Sequence, residues 1–147
     1  MTSLSLNDLL PVLQLAIGPV ILISGVGLLL LTITNRLGRV VDRARHLARE
    51  QANTPAGTAS SKLHLQITIL NRRAGILRAS CMMLALTVLS AAILVLLLFL
   101  AKLANWEAGA VVIAVFCIGQ LALIGSVIAF MRDINLSLTA LRLDLNM

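Results

Sequence analysis

The chain contains three apolar stretches, each long enough for a membrane-spanning helix. They cover residues 11–34, 79–101 and 108–131, and none of them contains Asp, Glu, Lys, Arg or His. About 20 helical residues are needed to cross the hydrocarbon layer of a bilayer. The pattern therefore predicts three membrane spans.

The segment between the first two spans, residues 35–78, has the periodicity of a helical hairpin. Its first half repeats apolar side chains at the spacing of an amphipathic helix: Leu37, Val40, Val41, Ala44, Leu47 and Ala48. Its second half repeats them at heptad spacing, as in a coiled coil: Leu63, Ile67, Leu70, Ala74 and Leu77. Turn-forming residues cluster at 53–61, so we expect both spans to continue as helices up to this turn.

Residues 132–147 fit two patterns. Their apolar side chains partly alternate, as in a strand, but they also follow helical spacing at Ile134, Leu138, Leu141 and Leu145. A lone strand would leave its backbone groups unpaired, which favours a C-terminal cytoplasmic helix. The predicted fold is all-α: one membrane domain, 1–147, of three long antiparallel helices that extend from the bilayer into a cytoplasmic helical bundle.

Composition supports a membrane protein and excludes a soluble globular domain. Hydrophobic residues make up 59% of the chain and charged residues 12%, whereas soluble domains contain about 45–50% apolar and about 25% charged residues. The mean hydropathy is +1.00. Most of this apolar surface requires lipid as its solvent.

The formal net charge of +6 is concentrated in one part of the chain. Segment 35–78 carries nine Lys and Arg residues against two acidic ones. By the positive-inside rule, this segment and the C-terminus are cytoplasmic, and the N-terminus and the 102–107 connection lie outside. We expect Arg36, Arg72, Arg73 and Arg78 to contact lipid head groups. Nucleic-acid binding is not predicted, because segment 35–78 has no aromatic side chain for base stacking.

No enzyme is predicted. The two histidines, His46 and His64, are not at a metal-ligand spacing, and the chain lacks a glycine-rich phosphate loop and a nucleophile elbow. Cys81 and Cys117 lie in apolar stretches, where a small apolar role is more common than a disulfide. We therefore predict no catalytic residue, no cofactor and no metal.

One face of the first helix carries mostly polar side chains and one large apolar side chain that could narrow a pore. At 100° per residue, the face opposite the apolar repeat contains Ser24, Leu28, Thr32, Asn35, Arg39, Asp42 and His46. A ring of protomers with this face inward would line a pore, with Leu28 as a dewetting constriction. Alternatively, Ser24 and the nearby glycines only permit close helix packing, and the Asn and Arg residues mark the membrane exit.

Two further features of the spans have a structural and a functional interpretation. The Gly18–Pro19 pair lies inside the first span, where proline removes a backbone donor and favours a bend. This bend is either a static kink or a gating hinge. In the third span, Ala122 and Ser126 form a small-residue step, and Gln120 is expected to form an interhelical hydrogen bond or, alternatively, to contribute to a filter.

Two strings in the chain resemble a bacterial membrane family catalogued as a domain of unknown function. The first is the GPVILISGVG string at 18–27 followed by TNRLGRVVDRAR at 34–45, and the second is ILNRRA at 69–74. The resemblance covers most of the chain and brings no established activity. It implies a small protein of the bacterial inner membrane.

The sequence thus favours a homo-oligomeric ion channel or channel-like pore lined by the first helix. Its expected partners are the lipid bilayer, other copies of the chain, and ions. The alternative is a non-conducting scaffold or accessory protein whose cytoplasmic helical bundle binds another protein.

Overall fold

The computed structural model describes residues 6–53, 58–104 and 107–145, with side chains at 10–53, 61, 63–104 and 107–137. These residues form three α-helices: α1 (Leu6–Ala52), α2 (Thr58–Ala104) and α3 (Gly109–Leu145). The predicted all-α fold of three long helices is confirmed. The cytoplasmic position of their ends remains a prediction.

The sequence did not decide whether α1 continues through its prolines or whether the C-terminal segment is helical, and both segments are helical in the structure. α1 continues without interruption across Pro11 and Pro19 and has 47 residues. α3 continues to Leu145, which confirms the helical interpretation of the C-terminal segment. Of its predicted packing positions, Ile134 is half-buried, and the side chains of Leu138, Leu141 and Leu145 lie outside the described residues.

All three helices are long and apolar enough to cross a membrane. The most apolar 18-residue windows have mean hydropathies of 2.4, 2.9 and 2.6, yet 17%, 28% and 17% of their residues are buried inside the protein. Large apolar side chains such as Ile21, Leu28 and Leu121 are 67–69% exposed. Lipid is the solvent that such a surface requires.

The chain divides into two compact units, each built from all three helices. Unit 1 comprises Met1–Leu30 and Met83–Ile124, and unit 2 comprises Leu31–Met82 and Gly125–Met147. Every arginine of the chain belongs to unit 2. The packing of each unit is described separately.

From Val26 onward, buried residues on α1 recur every seven positions: Val26 in unit 1, and Ile33, Val40 and Leu47 in unit 2. Val12 and Ala16, nearer the start of α1, are also buried. The apolar repeat predicted for 37–48 is buried or half-buried except at Ala48, which is exposed. The repeat predicted for 63–77 is at least half-buried at every position, so both predicted packing faces are confirmed.

Candidate functional site

The candidate site is the outward face of α1, here called the α1 stripe: Ser24, Leu28, Thr32, Asn35, Arg39, Asp42 and His46. All seven residues are exposed on the protomer. Ser24 and Leu28 belong to unit 1, and the other five belong to unit 2. The sequence predicted this set as one helix face, and the structure places every member on the surface.

The α1 stripe lies opposite the packed side of its helix. In unit 2 the packed positions of α1 include Ile33, Val40 and Leu47, which are 2%, 7% and 7% exposed. At 100° per residue, Asp42 lies about 140–180° around the helix from these positions, and Arg39 and His46 lie about 80–140° from them. In unit 2 the stripe therefore lies on the side of α1 away from its packed positions.

Charges of both signs lie on the part of the stripe in unit 2. Arg39 and Asp42 are exposed, and His46 Nδ1 lies 4.0 Å from Glu50 Oε2, one turn later. The His46 and Glu50 side chains are 81% and 54% exposed. A contact so accessible to solvent contributes little to stability.

The four arginines predicted to contact lipid head groups occupy different environments. Arg72 and Arg78 are exposed on α2. The guanidinium carbon of Arg36 lies 5.3 Å from the centre of the Phe130 ring, at cation–π distance. The fourth, Arg73, points into the protein.

Arg73 forms an ion pair with a completely buried aspartate on α3. Its Nε donates a hydrogen bond of 3.0 Å to Asp133 Oδ1, and the two side chains are 14% and 0% exposed. The other oxygen, Asp133 Oδ2, is buried and has no hydrogen-bond partner among the described residues. Because an unpaired charge in an apolar setting is strongly unfavourable, each side chain requires the other.

Seven residues further along α2, two serines join the same helices. Ser80 Oγ donates to the Ser126 carbonyl at 2.9 Å, Ser126 Oγ donates to the Ser80 carbonyl at 3.0 Å, and the two hydroxyl oxygens are 2.8 Å apart. Both serines are 0% exposed. This reciprocal pair confirms that Ser126 belongs to a helix-packing face.

A third contact, in unit 1, brings the α2 and α3 backbones close together. Thr87 Oγ1 donates to the Gly119 carbonyl at 3.2 Å, and it also lies 3.0 Å from the Met83 carbonyl one turn earlier. A Cβ on Gly119 would overlap Ser90 Oγ and lie 3.3 Å from Ser90 Cβ. Gly119 is therefore required for the close approach of these helices.

We call the pairs Arg73–Asp133, Ser80–Ser126 and Thr87–Gly119 the polar ladder. Its members recur every seven residues on both helices. The α2 residue number rises from pair to pair while the α3 residue number falls, as antiparallel packing requires. The sequence analysis did not identify the ladder, although it proposed a packing role for Ser126. The seven-residue spacing of 73, 80 and 87 against 119, 126 and 133 was the signal available in the sequence.

A cavity of about 260 Å³ lies in unit 1 beside the Gly18–Pro19 pair. All three helices contribute to its wall, α2 through Ser90 and α3 through Phe116 and Gln120. Gln120 is half-buried there. The interhelical hydrogen bonds between α2 and α3 described above come from Arg73, Ser80, Thr87 and Ser126 rather than from Gln120, which the sequence had favoured for this role.

The residues considered for redox or metal chemistry do not form a site in the described part of the chain. Cys81 and Cys117 are both free, and Cys81 Sγ lies 3.8 Å from Thr34 Oγ1 on α1. No three His, Cys, Asp or Glu side chains among the described residues are grouped as metal ligands.

Comparison with known proteins connects this arrangement to a family. No curated protein and no solved structure matches the chain. The family described as "Protein of unknown function (DUF2721)" matches residues 16–143. This range includes the α1 stripe from Ser24 to His46 and every residue of the polar ladder. Because the match covers most of its length, the chain belongs to the DUF2721 family.

Proposed function

We propose that this protein is a homo-oligomeric ion channel, or channel-like pore, lined by α1. The observation that carries the proposal is the exposure of the whole α1 stripe on the side of the helix away from α2 and α3. Copies of the stripe that face one another around a common axis would line a water-filled path with its polar side chains.

The glycines of α1 support contact with other copies. Gly25 and Gly27 are exposed, and a Cβ on either would have no atom within 4 Å. Within the protomer these glycines therefore fill no packing role, although a glycine in a helix interior costs about 1 kcal/mol relative to alanine. Small residues on a membrane helix let a neighbouring helix approach closely, and in this proposal the neighbour is α1 of the next copy.

The order of side chains along the stripe suggests how the path works. Leu28, which is 69% exposed, forms an apolar ring between hydroxyl rings at Ser24 and Thr32 and acts as the constriction. Arg39 and Asp42 follow and set the charge preference. Following the positive-inside rule, the helices extend into a cytoplasmic bundle below the bacterial inner membrane, with Arg36, Arg72 and Arg78 at the lipid head groups.

The test is ion flux through purified protein reconstituted into liposomes. In a background without native cysteines, a thiol-reactive cation should block flux through Leu28→Cys but not through Leu29→Cys. Leu29 is also exposed, at 40%, but it lies about 100° from Leu28 around the helix. Arg39→Glu should shift selectivity towards cations, and Asp42→Arg should shift it towards anions.

Two results would contradict the channel. One is the absence of flux at any membrane potential, membrane tension or divalent-ion concentration. The other is equal block of ion flux through Leu28→Cys and Leu29→Cys, which would show that the stripe does not line the conduction path. Absence of flux together with stoichiometric co-purification of another protein would favour the scaffold or accessory function instead.

A further inference from the structure

In unit 2, the contacts between α2 and α3 are buried, polar and directional. Asp133, Ser80 and Ser126 are each 0% exposed, and their bonds to the opposite helix measure 2.9–3.0 Å. Sliding α3 along α2 would leave these groups unpaired in an apolar environment, which is strongly unfavourable. The two helices therefore form a rigid pair.

The contacts of α1 in the same unit are of a different kind. Its packed face presents the apolar side chains of Ile33, Val40 and Leu47, and apolar contacts have no preferred direction. Thr34 Oγ1 lies 3.8 Å from Cys81 Sγ, and sulfur is a weak hydrogen-bond partner. The Arg36 guanidinium lies 5.3 Å from the centre of the Phe130 ring on α3, a cation–π contact that holds over separations of up to about 6 Å and so tolerates a small displacement. These contacts resist a small rotation or translation of α1 less than the polar ladder resists movement of α3.

Unit 1 shows the same difference between the helices. Thr87 and Gly119 hold α2 and α3 at close approach, whereas a cavity of about 260 Å³ lies where Gly18 and Pro19 of α1 meet these helices. The cavity is partly open to the protein surface, where Gly18 and Phe116 of its wall are exposed. A helix beside such a cavity has room to move, and a proline in that helix allows it to bend.

We propose that α1 is the gating element and that, within each unit, it shifts against an α2–α3 pair held by that unit's contacts of the polar ladder. The inference rests on the proposed channel function, since it names the part of the protomer that opens the path. It predicts that a covalent link between α1 and α2 prevents gating, and that a link between α2 and α3 does not.

Two disulfides with nearly equal loop lengths test this difference. Thr34→Cys pairs with native Cys81 across 47 residues in a Cys117→Ala background. The matched control pairs Ser80→Cys with Ser126→Cys across 46 residues in a Cys81→Ala, Cys117→Ala background. In both pairs, the terminal side-chain atoms already lie within 4 Å of each other, so each disulfide joins two positions that are in contact.

Flux is measured for each oxidised protein and again after reduction with dithiothreitol. The α1–α2 disulfide should abolish the stimulus-dependent change in flux, and reduction should restore it. The α2–α3 disulfide should leave gating unchanged in both states. Normal gating in the oxidised Thr34→Cys protein, or loss of gating with the α2–α3 disulfide, would overturn the inference while leaving the channel itself in place.

A structural measurement tests the inference even if no flux is found. Spin labels at exposed positions of unit 2, in a background without native cysteines, report the α1–α2 distance through Arg43→Cys with Asn71→Cys. They report the α2–α3 distance through Asn71→Cys with Arg132→Cys. Pulsed electron paramagnetic resonance in lipid vesicles should give a broader distance distribution for the first pair. Equally narrow distributions would show that α1 is fixed and would overturn the inference.

Discussion

At the scale of single residues, the Arg73–Asp133 pair is the contact with the largest expected effect on stability. We predict that Asp133→Ala lowers the free energy of unfolding by about 3–5 kcal/mol, because it leaves a largely buried guanidinium without its partner. Arg73→Met should have a similar effect, since it leaves Asp133, which is 0% exposed, as an unpaired charge. Reversible unfolding by sodium dodecyl sulfate in mixed micelles measures both.

The double variant tests whether Arg73 and Asp133 stabilise the protein as a pair or independently of each other. Replacing the ion pair by Arg73→Met with Asp133→Leu should recover most of the lost stability, because apolar groups of similar volume replace a buried ion pair at little or no loss. Arg72→Met, at the exposed neighbouring position, is the matched control and should change stability by less than about 0.5 kcal/mol. Additive losses in the double variant would contradict the pairing.

A second prediction at residue scale concerns Gly119. Gly119→Ala should lower the free energy of unfolding by about 1–3 kcal/mol, because the added Cβ meets Ser90 and forces the helices apart. The same substitution at Gly75 is the control. A Cβ there meets no atom within 4 Å, so Gly75→Ala should stabilise α2 by up to about 1 kcal/mol through helix propensity. Combining Gly119→Ala with Ser90→Gly should restore stability, and failure to do so would contradict this account.

At the scale of helices, the prediction to test is the role of the bend-favouring pair in α1. Pro19→Ala restores a backbone donor that can reach the Leu15 carbonyl one turn earlier. We expect a more stable protein with a slower or smaller change of flux on gating, because α1 becomes stiffer beside the cavity. Thermal unfolding and liposome flux measure the two effects. Pro11→Ala, near the start of α1, is the control and should leave gating unchanged, and a Pro19→Ala protein that gates normally would favour a static kink.

The sequence predicted the helices and the α1 stripe better than it predicted the contacts between α2 and α3. Apolar spacing of three and four residues is a local signal, so positions such as Val40, Leu47 and Leu77 could be assigned to packed faces directly. The polar ladder joins residues 32 to 60 positions apart. Its serines and threonine lie inside two apolar stretches that the sequence pattern predicts to be membrane spans. Only the antiparallel register, which local periodicity does not specify, brings Arg73 to Asp133 rather than to lipid.

At the scale of the whole molecule, the distribution of charge predicts how the protein is oriented. Every arginine lies in unit 2, and loops rich in Lys and Arg remain in the cytoplasm. In a background without native cysteines, Gln66→Cys in intact bacterial cells should resist a membrane-impermeant maleimide, whereas Leu103→Cys should react. Both positions are exposed, so a difference in labelling reports the side of the membrane, and permeabilised cells should label both. The reverse pattern would place the arginine-rich part outside and contradict the proposed path.

The assembly itself is tested by disulfides between copies. If α1 stripes converge on one axis, Leu28→Cys protomers bring identical residues together, because symmetric assembly repeats the same surface in every copy. Oxidation of this variant in native membranes should give a covalent dimer on a denaturing gel, and reduction should remove it. Leu29→Cys, which is exposed but about 100° from Leu28 around α1, should give much less dimer at the same expression level. Equal yields from the two variants would mean that the protomers meet by random collision, and would contradict an assembly in which the α1 stripes converge on one axis.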